Sequence, residues 1–236
     1  SLSHVDLSQG KASLHVEDLL MRLRDGRAVV RQNAALALGL VGKGSEHAWR
    51  ALVLSLKDSE ETVQIASAET LAVINAPAFP VVPALARAGT GRAGALDDAL
   101  YESISTWGSS AYAPLLSLLG EDHTGVARLL RRLVEAAPKG LASALAERLA
   151  PAYPPLVREG AAELLAVLGR SAEFATAPLL AALEDSDASL RARVVRAIGA
   201  VARPSQEVVA ALLDVARSDP RPAVRHALVQ ALKSLR

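Results

Sequence analysis

Chemistry in this chain would have to come from arginines, carboxylates and a few histidines. It contains no cysteine, which excludes disulfides, thiolate metal sites and cysteine nucleophiles. His4, His15, His47, His123 and His226 are scattered, with no pair four residues apart and no HExxH, so no metal site is expected. GxSxG and GxGxxG are absent, and no paired carboxylates fall in a predicted cleft. The acidic pairs Glu60-Glu61 and Asp97-Asp98 stand at predicted helix starts, where the positive end of the helix dipole favours them. The segment from Arg87 to Gly94 holds three glycines and two arginines, Arg87 and Arg92, and could offer backbone N–H groups to an anion. No Gly-Lys-Ser/Thr follows it, so it is not a P-loop. These residues point to no catalytic group and no cofactor.

The elements that position the charges recur with a fixed period. A branched apolar residue opens a small-residue helix at Val30, Val63, Leu96, Val126, Val157, Leu190 and Val224, in steps of 33, 33, 30, 31, 33 and 34 residues. Five residues before each lies a turn position: Asp25, Asp58, Gly91, Glu121, Ala152, Asp185 and Asp219. A period in this range marks a solenoid of stacked units rather than one globular core. Each unit reads as two helices around a short turn. In the first, His15 to Leu23 precedes Asp25-Gly26, and the second helix carries Val30, Ala34, Leu38 and Val41 on one face. The turn Asp and Ser residues read as helix N-caps.

Composition agrees. The chain has 236 residues, 51% of them hydrophobic, enough for a substantial core, and about a fifth are alanine. Only 3% are aromatic, so the helices can pack closely and leave no large ligand cavity. A formal net charge of +1 lacks the basic excess of a dedicated DNA binder. No uninterrupted apolar run of 18 residues occurs and no signal peptide is evident, so no membrane insertion is expected and a cytoplasmic location is. The sequence opens on Ser1 and closes on Lys233-Ser234-Leu235-Arg236 without a polar cap, which suggests a processed or excised piece or a docked end.

The run LLMRLRDGRAVVRQNAALALGLVG resembles a HEAT repeat of the bacterial phycobilisome-lyase-like subtype. LLAALEDSDASLRARVVRAIGAVA and LLDVARSDPRPAVRHALVQALKSL are similar to it as well. The marks are Asp in the turn, Val-Arg opening the second helix, then Ala-Ala and Leu-Gly. The resemblance is strong in units one, six and seven and weak in three to five. It implies an all-α, right-handed α-solenoid (an α-α superhelix, armadillo/HEAT-like) of about seven helix pairs. Residues 1–13 are then a lead-in and 14–236 a single solenoid domain. It also implies a ladder between neighbouring repeats, built from Asp25, Asp58, Asp185 and Asp219 with Arg31, Arg158, Arg191 and Arg225.

In HEAT proteins the second helices line the concave face. The positions expected to point there are Gln32/Leu36, Ile65/Glu69, Asp98/Glu102, Arg128/Arg132, Glu159/Glu163, Ala192/Arg196 and His226/Gln230. Charge alternates along this stripe, whereas a nucleic-acid groove would carry one sign. Ion pairs between repeats account for such alternation best. Units three to five have lost the consensus turn, so the expected partner surface lies over them: Asp98, Glu102, Arg128, Arg132, Glu159 and Glu163, with Tyr153 and the Arg92 loop at its edge. Trp107 falls at the apolar position of Val41 and Ile74 and reads as core between units three and four. Trp49 reads as cover on an outer edge.

The expected function is a non-enzymatic scaffold or adaptor that binds another protein. Identity of the partner and oligomeric state stay open. Two other classes follow from the resemblance: a HEAT-fold alkylpurine DNA glycosylase-like nucleic-acid binder, and a phycobilin lyase or chaperone-like subunit. The first needs a basic groove with aromatics, and the stripe has neither. No pigment pocket is evident for the second.

Overall fold

In the computed structural model, residues 7–90, 94–119, 121, 124–136 and 138–235 are described. Among them there is no strand, and fourteen α-helices alternate as first and second members of seven pairs. The second helices are α2 (Ala28–Val41), α4 (Glu61–Val73), α6 (Ala95–Ser105), α8 (Thr124–Ala136), α10 (Pro155–Leu168), α12 (Ala188–Val201) and α14 (Pro222–Ser234). The first helices are α1 (Leu7–Arg22), α3 (Glu46–Ser55), α5 (Ala78–Ala88), α7 (Tyr112–Leu116), α9 (Pro138–Glu147), α11 (Thr176–Ala181) and α13 (Gln206–Ser218). This is the all-α, armadillo/HEAT-like solenoid class that the period implies. The chain divides into two compact units, Ser1–Pro114 with Thr124–Leu129, and Leu115–His123 with Leu130–Arg236.

Stacking within each unit follows the small-residue pattern. In the first, α2 packs on α4 and α4 on α6; in the second, α10 packs on α12 and α12 on α14. Eight residues after the opening apolar residue of units one to six lies the core position: Leu38, Leu71, Ile104, Val134, Leu165 and Ile198, all with 0% exposure, whereas Leu232 of the last unit is half-buried. Burying such a side chain contributes about 1.5–3 kcal/mol, before any discount for a compact unfolded state. Five residues after the opening residue in units one, two and five, Ala35, Ala68 and Ala162 are fully buried and let the neighbouring helix approach. There Thr70 of α4 donates its hydroxyl to the Ala35 carbonyl of α2 at 3.0 Å.

Local rules set the helix ends. Ser45 and Ser205 cap α3 and α13, their hydroxyls accepting from the N–H groups of Ala48 and Val208. Pro155 and Pro222 open α10 and α14, where the missing N–H costs nothing. α1 starts at Leu7, well before the apolar periodicity begins at His15. Gln9, Lys11 and Ala12 are good helix formers, and extending a formed turn needs no buried face.

Two expectations are corrected here. The turn aspartates are not N-caps of the second helices. The N-caps are Arg27, Glu60, Asp187 and Arg221, and of these Asp187 alone accepts from the helix N–H groups. Asp25, Asp58, Asp185 and Asp219 lie two residues earlier. Each accepts from the N–H of the N-cap residue itself, at 2.9, 3.0, 2.9 and 2.9 Å, which closes an Asx turn. Trp107 is only half-buried, and its indole N–H donates to the Ala76 carbonyl at 2.9 Å, so it braces the turn before α5. An indole needs a partner for its N–H, and the helix end at Ala76 supplies one.

The stretch Pro155–Glu184 is long and apolar enough, on average, to suggest a membrane span. It is not one continuous α-helix. Gly169, at φ +55°, and Ala172, with non-helical φ and ψ, break it into α10, a 3-10 segment and α11. The longest piece has 14 residues, too short to cross a bilayer.

Gly39 and Gly199 occupy the same repeat position, nine residues after Val30 and Leu190, with opposite consequences. A Cβ on Gly199 would lie 2.6 Å from Ala231 Cα, whereas one on Gly39 would meet nothing closer than 3.8 Å. Gly199→Ala should therefore destabilise the fold by about 1–3 kcal/mol through overpacking of α12 on α14. Gly39→Ala should stabilise it by about 0.5–1 kcal/mol through helix propensity. Urea denaturation of the two variants checks the opposite signs.

Candidate functional site

The chain's most ordered polar feature is a set of arginines that reach from one repeat to the next turn. Arg31, opening α2, donates to both carboxylate oxygens of Asp58, Nε to Oδ2 at 2.8 Å and Nη2 to Oδ1 at 2.7 Å. Its Nη1 donates to the Asp25 and Gly26 carbonyls of its own turn at 2.9 and 3.2 Å. Arg191 repeats the arrangement on α12. Its Nε meets Asp219 at 2.7 Å and its Nη1 the Asp185 and Ser186 carbonyls at 2.7 and 3.0 Å. Arg158 pairs with Asp185 through Nη1, and its Nε donates to the Tyr153 carbonyl at 3.0 Å. One guanidinium thus ties its own turn and the following one together. Its planar five-donor fork makes that possible.

Two members end the pattern. Among the described residues Arg225 bonds only the Asp219 carbonyl of its own turn, at 3.2 Å. Asp25 is held by the neighbouring Arg27 instead of an arginine from another repeat, at 3.0 Å to each oxygen. In unit two the arginine position is Gln64, whose amide still donates to the Asp58 carbonyl at 2.6 Å.

The electrostatics follow the geometry. The Arg31 guanidinium holds the Asp58 carboxyl below its usual range, and Arg191 does the same to Asp219. The side-chain bonds and backbone N–H of Arg27 bring Asp25 down to about 2. Asp58 in turn raises Arg31, and Asp25 raises Arg27. Among the described residues no three His, Asp or Glu side chains gather as metal ligands would.

The expected partner patch is distributed over both compact units. Asp98, Glu102 and Arg128 belong to the first; Arg132, Tyr153, Glu159 and Glu163 belong to the second. Arg128 stands 4.0 Å from Asp97, whose carboxylate also accepts from the N–H and hydroxyl of Thr90. Asp98 and Glu102 are exposed on α6. Arg132 is half-buried on α8, beside Arg131, which reaches Glu163 at 3.7 Å. Tyr153 is half-buried in the proline-rich turn. Its hydroxyl accepts from Arg148 at 3.0 Å and its ring lies 4.7 Å below the same guanidinium. Trp49 is likewise half-buried under Arg50, 5.0 Å away. Arg92 lies outside the described residues.

On α12 the open stripe runs through the half-buried Arg193 and the exposed Arg196, not Ala192 and Arg196, because Ala192 is turned into the core at 5% exposure. Arg193 was missed by counting, and it is the residue that organises this region. Its Nε donates to Glu159 at 2.8 Å and its Nη1 to Glu163 at 2.9 Å, both on α10. Spacing alone could have suggested it: Arg193 precedes the exposed Arg196 by three residues, within the angular width of one helix face. Glu163, Ala166, Val167, Arg193 and Arg196 line a groove of about 420 Å³ between α10 and α12.

Stacked helix pairs joined by arginine–turn rungs define a helical repeat protein. Residues 142–233, from α9 to α14, match the family of HEAT repeats. A search of curated proteins found no match. Solved structures similar to the chain include human deoxyhypusine hydroxylase in complex with glycerol, at 21% identity over 93% of this chain and 84% of that one, with a TM-score of 0.41. A designed armadillo repeat protein in complex with the peptide (KR)4 shares 19% identity over 94% and 99%, with a TM-score of 0.43. An engineered protein shares 19% over 94% and 98%, with a TM-score of 0.42. Likeness at that level carries neither an activity nor a ligand across.

Removing a rung guanidinium strands a nearly buried carboxylate. Arg191→Ala should cost about 1–3 kcal/mol, as for a partly buried charged hydrogen bond, in chemical denaturation at neutral pH. The rungs also set the acid response. Asp58 and Asp219 titrate lower folded than unfolded, so their stabilisation is complete above the unfolded carboxyl range. It is lost as pH falls through their depressed folded values. Thermal melts should thus decline from about pH 4–5 downwards, and Asp219→Asn should be less stable at neutral pH but show a shallower decline.

Proposed function

We propose that this chain is a non-enzymatic scaffold that binds another protein along its second helices, in the cytoplasm. The supporting observation is how its side chains are spent. The arginines and aspartates best placed for chemistry are engaged in rungs and Asx turns, and the inward faces of the helices are packed. What the second helices leave outward is contact surface. Leu36 and Leu40 on α2 and Val73 on α4 are 45%, 88% and 65% exposed, with Glu69 exposed beside them. Large apolar side chains grouped on a helix face are the usual material of protein contacts.

A nucleic-acid role has less support. α4 and α6 carry five acidic residues and no basic one, and phosphates would be repelled there. The test has two arms. Immobilised chain should retain a protein from lysate of the cells that make it, and excess free chain should compete it away. Duplex DNA, followed by fluorescence anisotropy, should bind no tighter than the micromolar range expected of non-specific contacts, roughly 10⁻⁴–10⁻⁶ M at physiological salt. Sub-micromolar DNA affinity, or no competable protein, would overturn the proposal.

A further inference from the structure

We infer that the groove between α10 and α12 is a docking site for an acidic, apolar-flanked protein segment; this rests on the scaffold reading and names the partner's chemistry. The argument begins with how charge is spent. Arg193 is drawn back onto Glu159 and Glu163, and Arg131 stands near Glu163 as well, so two cations face two carboxylates. Arg196, one turn along from Arg193, is exposed and has no bonding partner among the described residues. It lines the groove with Ala166 and Val167, which give that wall an apolar surface.

The neighbouring helices strengthen the bias. α12 and α14 together contain Arg191, Arg193, Arg196, Arg225, His226 and Lys233 and no Asp or Glu. Arg191 is matched by Asp219, but His226 and Lys233 are exposed on α14. A ligand carboxylate can therefore gain charge-assisted bonds from Arg196 while a small aliphatic side chain beside it covers Val167. A guanidinium fork suits a carboxylate in particular. Nucleic acid fits less well, because Glu163 lines the same groove and repels a phosphate chain.

The probe is a fluorescein-labelled octapeptide of alternating Glu and Val, titrated with the whole chain and followed by anisotropy. A Lys-Val octapeptide and a short oligothymidylate serve as comparisons. The acidic peptide should bind, the basic one should not, and affinity should fall with salt. Arg196→Glu should weaken the acidic peptide by about tenfold, and Glu163→Gln should tighten it by about twofold, both scaled to removal or reversal of one exposed charge. Val167→Asp should weaken it while leaving circular dichroism unchanged. Equal binding of both peptides, tighter oligothymidylate binding, or indifference to Arg196→Glu would each overturn the site. If a natural protein is still captured by the Arg196→Glu chain, the site is wrong and the scaffold reading stands. If the acidic peptide binds but nothing competable is captured, the reverse holds.

Discussion

A guanidinium that serves two turns at once is the contact through which the repeats of this chain are registered. In unit one Arg31 donates to two carbonyls of its own turn and to the carboxylate of the next. Arg191 does the same in unit six. Apolar packing between second helices is stronger in total, but it is non-directional and tolerates sliding. A fork bonded on both sides does not. It fixes the rise from one turn to the next, and the aspartate that receives it simultaneously closes its own turn through an N–H two residues on. Local turn geometry and long-range stacking are thus coupled through one carboxylate.

That coupling has a cost for function of the catalytic kind. A carboxylate held below its usual range by a bonded guanidinium is a poor general base, and a guanidinium bonded on both sides is a poor electrophile. The rungs consume the most reactive pairs the chain has. The charge left on the second helices differs along the chain. Second helices α4 and α6 are acidic, whereas α12 and α14 are basic. Arg193 shows how the balance is struck between: it crosses to α10 and pairs with Glu159 and Glu163, while Arg196 on the same helix is exposed with no bonding partner among the described residues.

Units three to five show the same logic weakened. No aspartate stands at their turn positions, and substitutes appear. The Tyr153 carbonyl, at the position of Gly26 and Ser186, receives Arg158 through Nε where the other rungs use Nη1. Pro154 and Pro155 supply stiffness that an Asx turn supplies elsewhere. Tyr153 itself is clamped by Arg148, so an aromatic that looked available for recognition is partly spent on holding its own corner.

By itself the sequence determined the fold class, the number of helix pairs and the recurring apolar core positions of the second helices. These are consequences of periodicity, and every repeat restates the same apolar positions, so local pattern and tertiary environment agree. The nearest-neighbour character of a solenoid is the reason: each unit sees only another like itself. Tertiary structure alone decided how individual charges are partnered. Counting from Leu190 put Ala192 on the open face, but the packing of α12 turned it inward and brought Arg193 out. One residue of register is about 100° of rotation on a helix, well within the uncertainty of a periodic pattern but enough to exchange a core alanine for the arginine that joins two helices. The aspartates were likewise visible as turn residues, while their true acceptor role, two residues before the N-cap, depended on backbone angles that composition does not encode. The groove beside Arg196 exists only because α10 and α12 pack side by side, residues thirty apart in the chain brought within one hydrogen bond.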